Sequence, residues 1–246
     1  MRFSDRVAII TGAGGGIGEA YAKRLADDGA SVVIADIDAG GGARVAAEIG
    51  EQAIAVTTDV SDPVSTDAMA RAAVDAFGRL DFLVNNAAIY KTMQLDGLTT
   101  VPYEYLDHFM SVNLWGALRC TRSCVPALAA GGGGVIVNQS STAAWMPSGF
   151  YGVAKAGINA LTVSLAHELG GQGIRVNAIA PGPTDTEATR TIVPEEFRKH
   201  LLAGLALKRM GQVDDMAGAL SFLLSDDAAW VTGHVLAVDG GQITRI

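Results

Sequence analysis

The chain has 246 residues, 49% of them hydrophobic and 18% charged, and its formal net charge is −8. This composition is typical of a folded domain with a full core, and an acidic chain without a basic cluster is a poor partner for nucleic acid. No apolar run is long enough to cross a bilayer or to form the core of a signal peptide, so we expect a cytoplasmic protein without a membrane partner.

Short apolar runs alternate with helical segments along the chain. In the helical segments apolar residues recur three and four positions apart, as in Ile158, Leu161, Leu165 and Leu169. Such alternation indicates βαβ units and therefore a parallel sheet. The sequence predicts one α/β domain over residues 1–246, doubly wound, with a central parallel sheet of about seven strands and helices on both faces. The predicted strands are 7–10, 31–35, 53–56, 80–84, 135–137, 174–179 and 235–238.

A glycine-rich turn, TGAGGGIG, follows the first predicted strand. The usual dinucleotide spacing G-x-G-x-x-G fails here, because counting from Gly12 places Ile17 where the third glycine should be. The spacing T-G-x-x-x-G-x-G fits instead, with Gly16 and Gly18 as its last two glycines. A turn of this kind brings the backbone close to a pyrophosphate and presents free N–H groups at a helix N-terminus, although it can also be purely structural.

Asp36 ends the second predicted strand, twenty residues beyond Gly16. Its carboxylate can accept hydrogen bonds from the hydroxyls of an adenosine ribose, and it would repel a 2′-phosphate. Residues 13–15 are Ala-Gly-Gly and residue 37 is Ile, so no Arg or Lys stands beside it in the sequence to neutralise such a phosphate. The pattern favours NAD over NADP, and the alternative is an Asp that merely ends a strand.

The segment Y-G-V-A-K begins a long predicted helix at residues 151–155. Tyr151 and Lys155 are four residues apart and therefore lie on one helical face. We expect the ammonium of Lys155 to favour the phenolate, to lower the pKa of Tyr151 and so to make it a usable general acid/base. The pair follows the strand GVIVNQSS, whose carboxyl end is where open α/β sheets bind ligands.

The two motifs T-G-x-x-x-G-x-G and Y-x-x-x-K resemble those of the short-chain dehydrogenase/reductase family, and the resemblance covers essentially the whole chain. It implies a Rossmann fold, NAD as cofactor, and hydride transfer between that cofactor and a small-molecule secondary alcohol or ketone. It also implies a homotetramer or homodimer, for which the amphipathic segments around 104–129 and 153–169 are candidate contacts. The catalytic residues it implies are Asn113, Ser141, Tyr151 and Lys155.

Two of these catalytic residues have alternatives. Ser141 is the second serine after its strand and would polarise the substrate carbonyl, but fewer residues separate it from Tyr151 than is usual in the family, so Ser140 is the fallback. Asn113 matches the asparagine that holds a helix kink and a water beside Lys155. A buried Asn that is paired for purely structural reasons is the alternative.

The resemblance also extends to the cofactor side of the site. Asp59-Val60 resembles the pair that contacts the adenine, and residues 85–88, Asn-Asn-Ala-Ala, resemble the stretch that closes the adenosine pocket, with Ala88 in place of the usual glycine. Residues 181–186 resemble the segment that lies along the nicotinamide carboxamide and the pyrophosphate, with Thr184 where Ile is more usual. The cofactor-binding residues implied are Gly12, Gly14, Gly15, Gly16, Ile17, Gly18, Asp36, Ile37, Asp59, Val60, Asn86, Ala87, Tyr151, Lys155, Pro181, Gly182, Thr184 and Thr186.

The segment after Pro181 is too long for a simple connection and contains further prolines. We predict a lid or substrate loop over residues 183–211 with one or two short helices, the alternative being a passive insertion. Residues 90–93 and the apolar side chains of Trp145, Met146, Pro147 and Phe150 could line an apolar substrate pocket or simply pack.

Two other functions stay open. A 3-oxoacyl reductase acting on a carrier protein or coenzyme A thioester would suit the basic residues of the lid, but that activity normally uses NADPH. A sensor or scaffold that binds NAD without chemistry is disfavoured because Ser141, Tyr151 and Lys155 are all intact. The basic residues of the lid are Arg190, Arg198, Lys199, Lys208 and Arg209.

No metal site is predicted from the cysteines and histidines. Cys120 and Cys124 are the only cysteines, and their spacing in a helical segment predicts reduced, packed thiols. The histidines have no spacing suited to a metal, and we expect ordinary surface or core roles for them. The histidines are His108, His167, His200 and His234.

Overall fold

The centre of the protein is a sheet of seven parallel strands. The computed structural model describes residues 1–192 and 195–243. Within them the strands are β1 (Val7–Thr11), β2 (Ser31–Asp36), β3 (Ala53–Thr57), β4 (Phe82–Asn85), β5 (Gly134–Gln139), β6 (Ile174–Pro181) and β7 (Val235–Val238). Their order across the sheet is β3-β2-β1-β4-β5-β6-β7. The predicted α/β fold with a doubly wound parallel sheet is therefore confirmed.

Helices cover both faces of this sheet. Among the described residues, no helix is both long and apolar enough to cross a bilayer. A π-helical turn (Ser111–Trp115) separates α4 from α5, and a 3-10 turn (Thr142–Trp145) precedes α6. The α-helices are α1 (Gly16–Asp27), α2 (Ala39–Ile49), α3 (Pro63–Phe77), α4 (Tyr103–Met110), α5 (Gly116–Ala130), α6 (Gly149–Leu169), α7 (Glu187–Ile192), α8 (Glu195–Gly204) and α9 (Val213–Leu224).

Alternate side chains of each strand enter different core layers, since successive residues of a strand point to opposite faces. In β1, Ile10 packs in the layer that contains Tyr21 of α1. Its neighbour Ile9 packs in the other layer, with Cys120 and Cys124 of α5. Both thiols are buried and free, as the sequence predicts.

The fourth strand begins two residues later than predicted. The carboxylate of Asp81, rather than a main-chain carbonyl, accepts the N–H of Val7 (2.9 Å) at this point. Arg6 and Arg79 pair with the same carboxylate at 2.7 and 2.6 Å. The main chain of Asp81 still joins both neighbouring strands, because its N–H donates to Val7 (2.9 Å) and its carbonyl accepts from Val135 (2.9 Å).

The amphipathic segment around 104–129 is interrupted at Asn113, where the resemblance to the family implies a helix kink. At the π-helical turn the side chain of Asn113 accepts a hydrogen bond from the N–H of Ile89 (2.8 Å) and donates one to its carbonyl (3.0 Å). Arg119 donates to the carbonyl of Ser111 (2.9 Å). These two side chains hold the change of helical pitch, which periodicity of apolar residues does not reveal.

The order of the strands fixes where a ligand can enter. The chain passes from β1 outward to β2 and β3, and then returns to β4 on the other side of β1. The connections after β1 and β4 therefore diverge and leave a crevice at the carboxyl ends of these strands, which is the general ligand site of doubly wound sheets.

Candidate active site

The crevice at the carboxyl ends of the strands forms a cavity of about 850 Å³. This volume lies within the range of small-molecule and cofactor sites. Every residue predicted to bind the cofactor lines it, as do Ser140 and Ser141. Asn113 is the one predicted catalytic residue that does not line it, and it borders a separate small cavity beside Lys155.

The glycine turn packs closely against the end of β4. The side chain of Asn86 donates to the carbonyls of Thr11 (3.0 Å) and Gly12 (2.9 Å). Gly12 has a φ of +66°, and a Cβ there would lie 2.7 Å from the Cα of Ala87. Only glycine fits that approach.

The opposite side of the turn is open where the first helix begins. α1 starts at Gly16, and a Cβ at Gly15 or Gly16 would meet nothing within 4 Å. The unpaired N–H groups of a helix N-terminus therefore border free space in the cavity, an arrangement that suits a phosphate. The turn fits a pyrophosphate by its shape as well as by its spacing.

Asp36 lies next to the glycine turn at the end of β2. Its carboxylate accepts hydrogen bonds from the N–H groups of Gly14 (2.7 Å) and Asp38 (2.9 Å). It also lines the cavity, with Ile37 exposed beside it. A carboxylate oxygen can accept more than one hydrogen bond, so Asp36 retains acceptor capacity for a ribose hydroxyl.

An arginine that the sequence analysis missed lies near this carboxylate. Arg44 of α2 donates to the carbonyl of Gly14 (3.1 Å). Its guanidinium also pairs with Glu19 at 2.7 Å and Glu48 at 2.8 Å. No residue beside Asp36 in the sequence is positively charged. The fold nevertheless brings Arg44 near it, and Arg44 pairs with two glutamates.

Other residues predicted on the cofactor side play supporting roles in this structure. The carboxylate of Asp59 accepts hydrogen bonds from the N–H and the hydroxyl of Ser61 (2.8 and 2.7 Å). Asn85 points into the core, where its amide donates to Asn138 (2.8 Å) and so joins β4 to β5. Ala88, at the position where the family usually has glycine, lines the cavity without closing it.

The two candidate serines have different surroundings. The hydroxyl of Ser140 donates to Oδ1 of Asn159 (2.5 Å) on α6 and is only 2% exposed. The hydroxyl of Ser141 accepts the N–H of Ala143 (3.1 Å) and hydrogen-bonds Tyr151. The geometry favours Ser141 as the serine that acts with the tyrosine.

A glycine lets the short connection between them close. A Cβ on Gly152 would lie 2.9 Å from the carbonyl oxygen of Ala143. The 3-10 turn therefore packs directly on the backbone of α6 beside Tyr151. Because of this contact, Ser141 reaches the tyrosine although the connection between the two residues is shorter than is usual in the family.

The ionisation of Tyr151 differs from the prediction. Desolvation by the surrounding protein raises the pKa of Tyr151 above its ordinary value of 10, although the hydrogen bond from Ser141 opposes the shift. Lys155 lies with its Nζ 5.8 Å from the centre of the tyrosine ring, and its burial lowers its own pKa to about 8. The expectation that Lys155 lowers the tyrosine pKa is therefore wrong for the protein alone, because burial raises this pKa and only the hydrogen bond with Ser141 lowers it.

Lys155 is held at the end of β5. Its ammonium donates to the main-chain carbonyl of Gln139 (2.8 Å), and its side chain is nearly fully buried. Between Lys155 and Asn113 lies the small cavity, of about 10 Å³, which Asn85 also borders. The Oδ1 atom of Asn85 is buried without a hydrogen-bond partner among the described residues, so this cavity is polar and has room for about one water.

The substrate end of the cleft lies between the segment after β4 and the lid. The rings of Tyr90 and Tyr151 are 5.6 Å apart, and the hydroxyl of Tyr90 hydrogen-bonds Thr189 of α7. Lys91 pairs with Glu187 at 2.7 Å across the same gap. The predicted lid thus contains two helices, α7 and α8, and the first contacts the cleft.

The residues predicted to line an apolar substrate pocket divide between the cavity and the core. Met146 lines the cavity, whereas Phe150 packs in a buried cluster with Phe109, 4.8 Å between ring centres. His108 lines the cavity although its sequence context does not single it out. The side chains of Lys199 and His200 lie outside the described residues.

The buried lysine makes a prediction about stability. With a pKa of about 8 in the folded protein and near 10.5 in the unfolded chain, Lys155 binds fewer protons when folded between these pH values. Wild-type stability should therefore rise relative to Lys155→Met from pH 7 to pH 9.5. Urea midpoints of both proteins measure this difference. A difference that does not change with pH would contradict the assignment, and the exposed Lys208→Met variant serves as the control.

Comparisons with known proteins agree with this geometry. A family model described as Enoyl-(Acyl carrier protein) reductase matches residues 12–242. An uncharacterized oxidoreductase of Mycobacterium tuberculosis (strain ATCC 25618 / H37Rv) is 58% identical over 246 residues, covering 99% of each chain.

Two solved structures share the fold over nearly their whole length. A 7α-hydroxysteroid dehydrogenase complexed with NADH and 7-oxo glycochenodeoxycholic acid has a TM-score of 0.93 at 34% identity, covering 99% of this chain and 96% of that one. A 3-ketoacyl-(acyl-carrier-protein) reductase from Brucella melitensis complexed with NADH has a TM-score of 0.91 at 38% identity, covering 98% and 99%. With a matching family model and full-length relatives of this kind, the chain belongs to the short-chain dehydrogenase/reductase family.

Proposed function

We propose that this protein is an NAD-dependent oxidoreductase that interconverts a secondary alcohol and a ketone by hydride transfer. One observation carries the proposal. Ser141, Tyr151 and Lys155 line the same cleft as Asp36 and the glycine turn. A dinucleotide bound along that cleft would have its adenosine near the carboxylate and its nicotinamide near the hydroxyls.

The cofactor preference rests on charge near Asp36. A 2′-phosphate at this end would meet Asp36 and Asp38, which both line the cleft. Arg44 is the cation that reaches the glycine turn, and the charges of Arg44 and Lys23 are balanced by Glu19 and Glu48. We therefore infer a preference for NAD over NADP. The presence of NADH in both solved relatives supports a nicotinamide cofactor here.

The residues of the chain supply binding and proton transfer. When bound, a nicotinamide cofactor supplies the site that accepts or donates hydride. Ser141 and Tyr151 hold the substrate oxygen by hydrogen bonds. Because its pKa is raised, Tyr151 is protonated at neutral pH and can donate its proton to the oxygen of a ketone. For alcohol oxidation it must lose that proton, so we expect this direction to become faster as the pH rises.

Lys155 has two roles in this proposal. Held by the carbonyl of Gln139, its ammonium stays charged below about pH 8 and favours the phenolate as Tyr151 gives up its proton. It also lies where it can donate to a ribose hydroxyl of the cofactor. Asn113 acts indirectly, because it fixes the π-helical turn and borders the small cavity beside Lys155.

A 3-oxoacyl thioester reductase is the second candidate, favoured by the likeness to the Brucella melitensis enzyme. The lid gives it less support than the sequence suggests. Arg190 pairs with Asp185 at 2.8 Å and Arg209 with Asp215 at 2.6 Å, so these cations are already matched within the chain. A scaffold that performs no chemistry is disfavoured by the intact proton-transfer group in the cleft.

We further infer a homodimer or homotetramer. α6 presents Val153 (51% exposed) and Val163 (44% exposed), and Trp115, which directly precedes α5, is 47% exposed. Apolar side chains on these helices suit contacts across a two-fold axis. A cytoplasmic location stays a prediction from the sequence.

The role of Tyr151 is tested by Tyr151→Phe. Loss of the proton donor should lower turnover by about 10²- to 10⁴-fold, while NADH binding stays near wild type because the ring remains. Rates with a panel of secondary alcohols and ketones and fluorescence titration with NADH measure the two effects. The exposed Tyr103→Phe serves as the control. Turnover close to wild type in Tyr151→Phe would rule out the mechanism.

The cofactor preference is tested by Asp36→Asn. The amide can still accept the N–H of Gly14 but loses the charge, so the preference for NADH over NADPH should fall by about 10- to 100-fold. Dissociation constants for both cofactors give this ratio, with the exposed Asp75→Asn as control. A wild-type protein that binds NADPH more tightly than NADH would overturn the assignment of Asp36.

A further inference from the structure

A buried hydrogen bond joins α1 to the end of β5. The hydroxyl of Tyr21 donates to Oε1 of Gln139 (2.8 Å), and Tyr21 has no exposed surface. Tyr21 lies one helical turn after Ile17 and Gly18, at the point where α1 leaves the glycine turn. Neither residue belongs to the motifs from which the cofactor site was predicted.

This bond fixes the direction of the Gln139 amide. The Tyr21 hydroxyl has Gln139 as its only hydrogen-bond partner among the described residues. If the amide were reversed, the N–H of Gln139 would donate to the tyrosine oxygen and the buried tyrosine proton would have no acceptor. The oxygen Oε1 therefore faces Tyr21, and the Nε2 group faces away from it.

The Nε2 group opens into the cleft. Successive residues of a strand point to opposite faces, and the side chain of Asn138 is directed to Thr162 on α6 (2.9 Å). The Gln139 side chain therefore lies on the α1 side of the sheet, at a strand end that borders the cleft. Gln139 is 9% exposed and lines the cleft, yet Nε2 donates no hydrogen bond within residues 1–192 and 195–243. Nε2 is not among the fully buried unpaired atoms of the described residues, so it has accessible surface, and an amide donor without a protein acceptor at the edge of a cleft is available to a ligand.

The position of Gln139 selects which part of a dinucleotide it would meet. Its own carbonyl holds Lys155 (2.8 Å), and its neighbour in the sheet is Ile179, two residues before Pro181. Gln139 thus lies between the phosphate turn and the proton-transfer group. A dinucleotide that extends from Asp36 to Tyr151 would cross this point with its nicotinamide ribose and the adjoining phosphate, both of which carry oxygen acceptors.

We propose that Gln139 is a cofactor-binding residue whose Nε2 donates to an oxygen of the nicotinamide ribose or its phosphate, and that Tyr21 is the positioning residue that aims it. The proposal rests on the proposed function, since it needs a dinucleotide in the cleft. It adds a link between the two ends of the cleft, because one residue would hold Lys155 by its main chain and the cofactor by its side chain.

Binding of NADH and of its fragments distinguishes a cofactor-binding role of Gln139 from a purely structural role. Gln139→Met keeps the side-chain volume but removes the donor. We expect it to weaken NADH and ADP-ribose binding by about 2- to 10-fold and to leave AMP binding unchanged, since AMP lacks the nicotinamide ribose and its phosphate. Calorimetry with these three ligands measures the effects without turnover. Gln172→Met, at the other end of the sheet, is the control.

A second pair of variants separates lost contact from lost packing. Tyr21→Phe frees the Gln139 amide to rotate. It should also weaken NADH binding, but by a smaller factor than Gln139→Met does. The double variant Tyr21→Phe/Gln139→Met leaves neither buried partner of that bond unpaired, so it should fold well. It should still show the full loss of NADH affinity seen in Gln139→Met. An effect on AMP equal to that on NADH, or no effect on NADH, would overturn the proposal. Wild-type protein that binds neither NADH nor AMP would instead overturn the proposed function.

Discussion

The hydrogen bond from the ammonium of Lys155 to the main-chain carbonyl of Gln139 is the contact on which the arrangement of the cleft depends. It ties α6 to the carboxyl end of β5 in surroundings that leave the lysine 3% exposed. Because Tyr151 lies one helical turn before Lys155, the same contact sets the tyrosine over the cleft. Ser141 follows directly from the end of β5, so strand and helix meet at the three groups that would transfer a proton.

Burial at this point has a chemical consequence. It raises the pKa of Tyr151 and lowers that of Lys155 to about 8, so both groups are shifted toward their neutral forms. A neutral phenol is a proton donor, which suits ketone reduction. In the proposed function, alcohol oxidation requires the phenolate form of Tyr151, which the ammonium of Lys155 favours.

The sequence predicts most of the fold because the apolar runs of the strands and the spacing of the helices are local signals. The glycine turn, Asp36, Tyr151 and Lys155 were found from motifs, and all of them line one cleft. Contacts between distant segments were not found this way. Arg44 reaches Gly14 only because α2 folds back beside the glycine turn.

Two features of the site have physical causes that the sequence does not show. The family resemblance implies a kink at Asn113, but apolar periodicity does not reveal the π-helical turn, because that turn depends on a pairing with Ile89 outside the helix. The pKa of Tyr151 was misjudged because a sequence shows the neighbouring charge but not the desolvation that opposes it. Gln139 stands in an apolar strand and carries no motif, and only its pairing with Tyr21 reveals it.

A crystal structure of the protein with NADH bound tests the central claim most directly. The account predicts adenosine at Asp36, pyrophosphate at the glycine turn, and the nicotinamide ring beside Tyr151 with its ribose within hydrogen-bond reach of Lys155. A structure in which the dinucleotide binds with its ring outside the cleft, away from Ser141 and Tyr151, would contradict it.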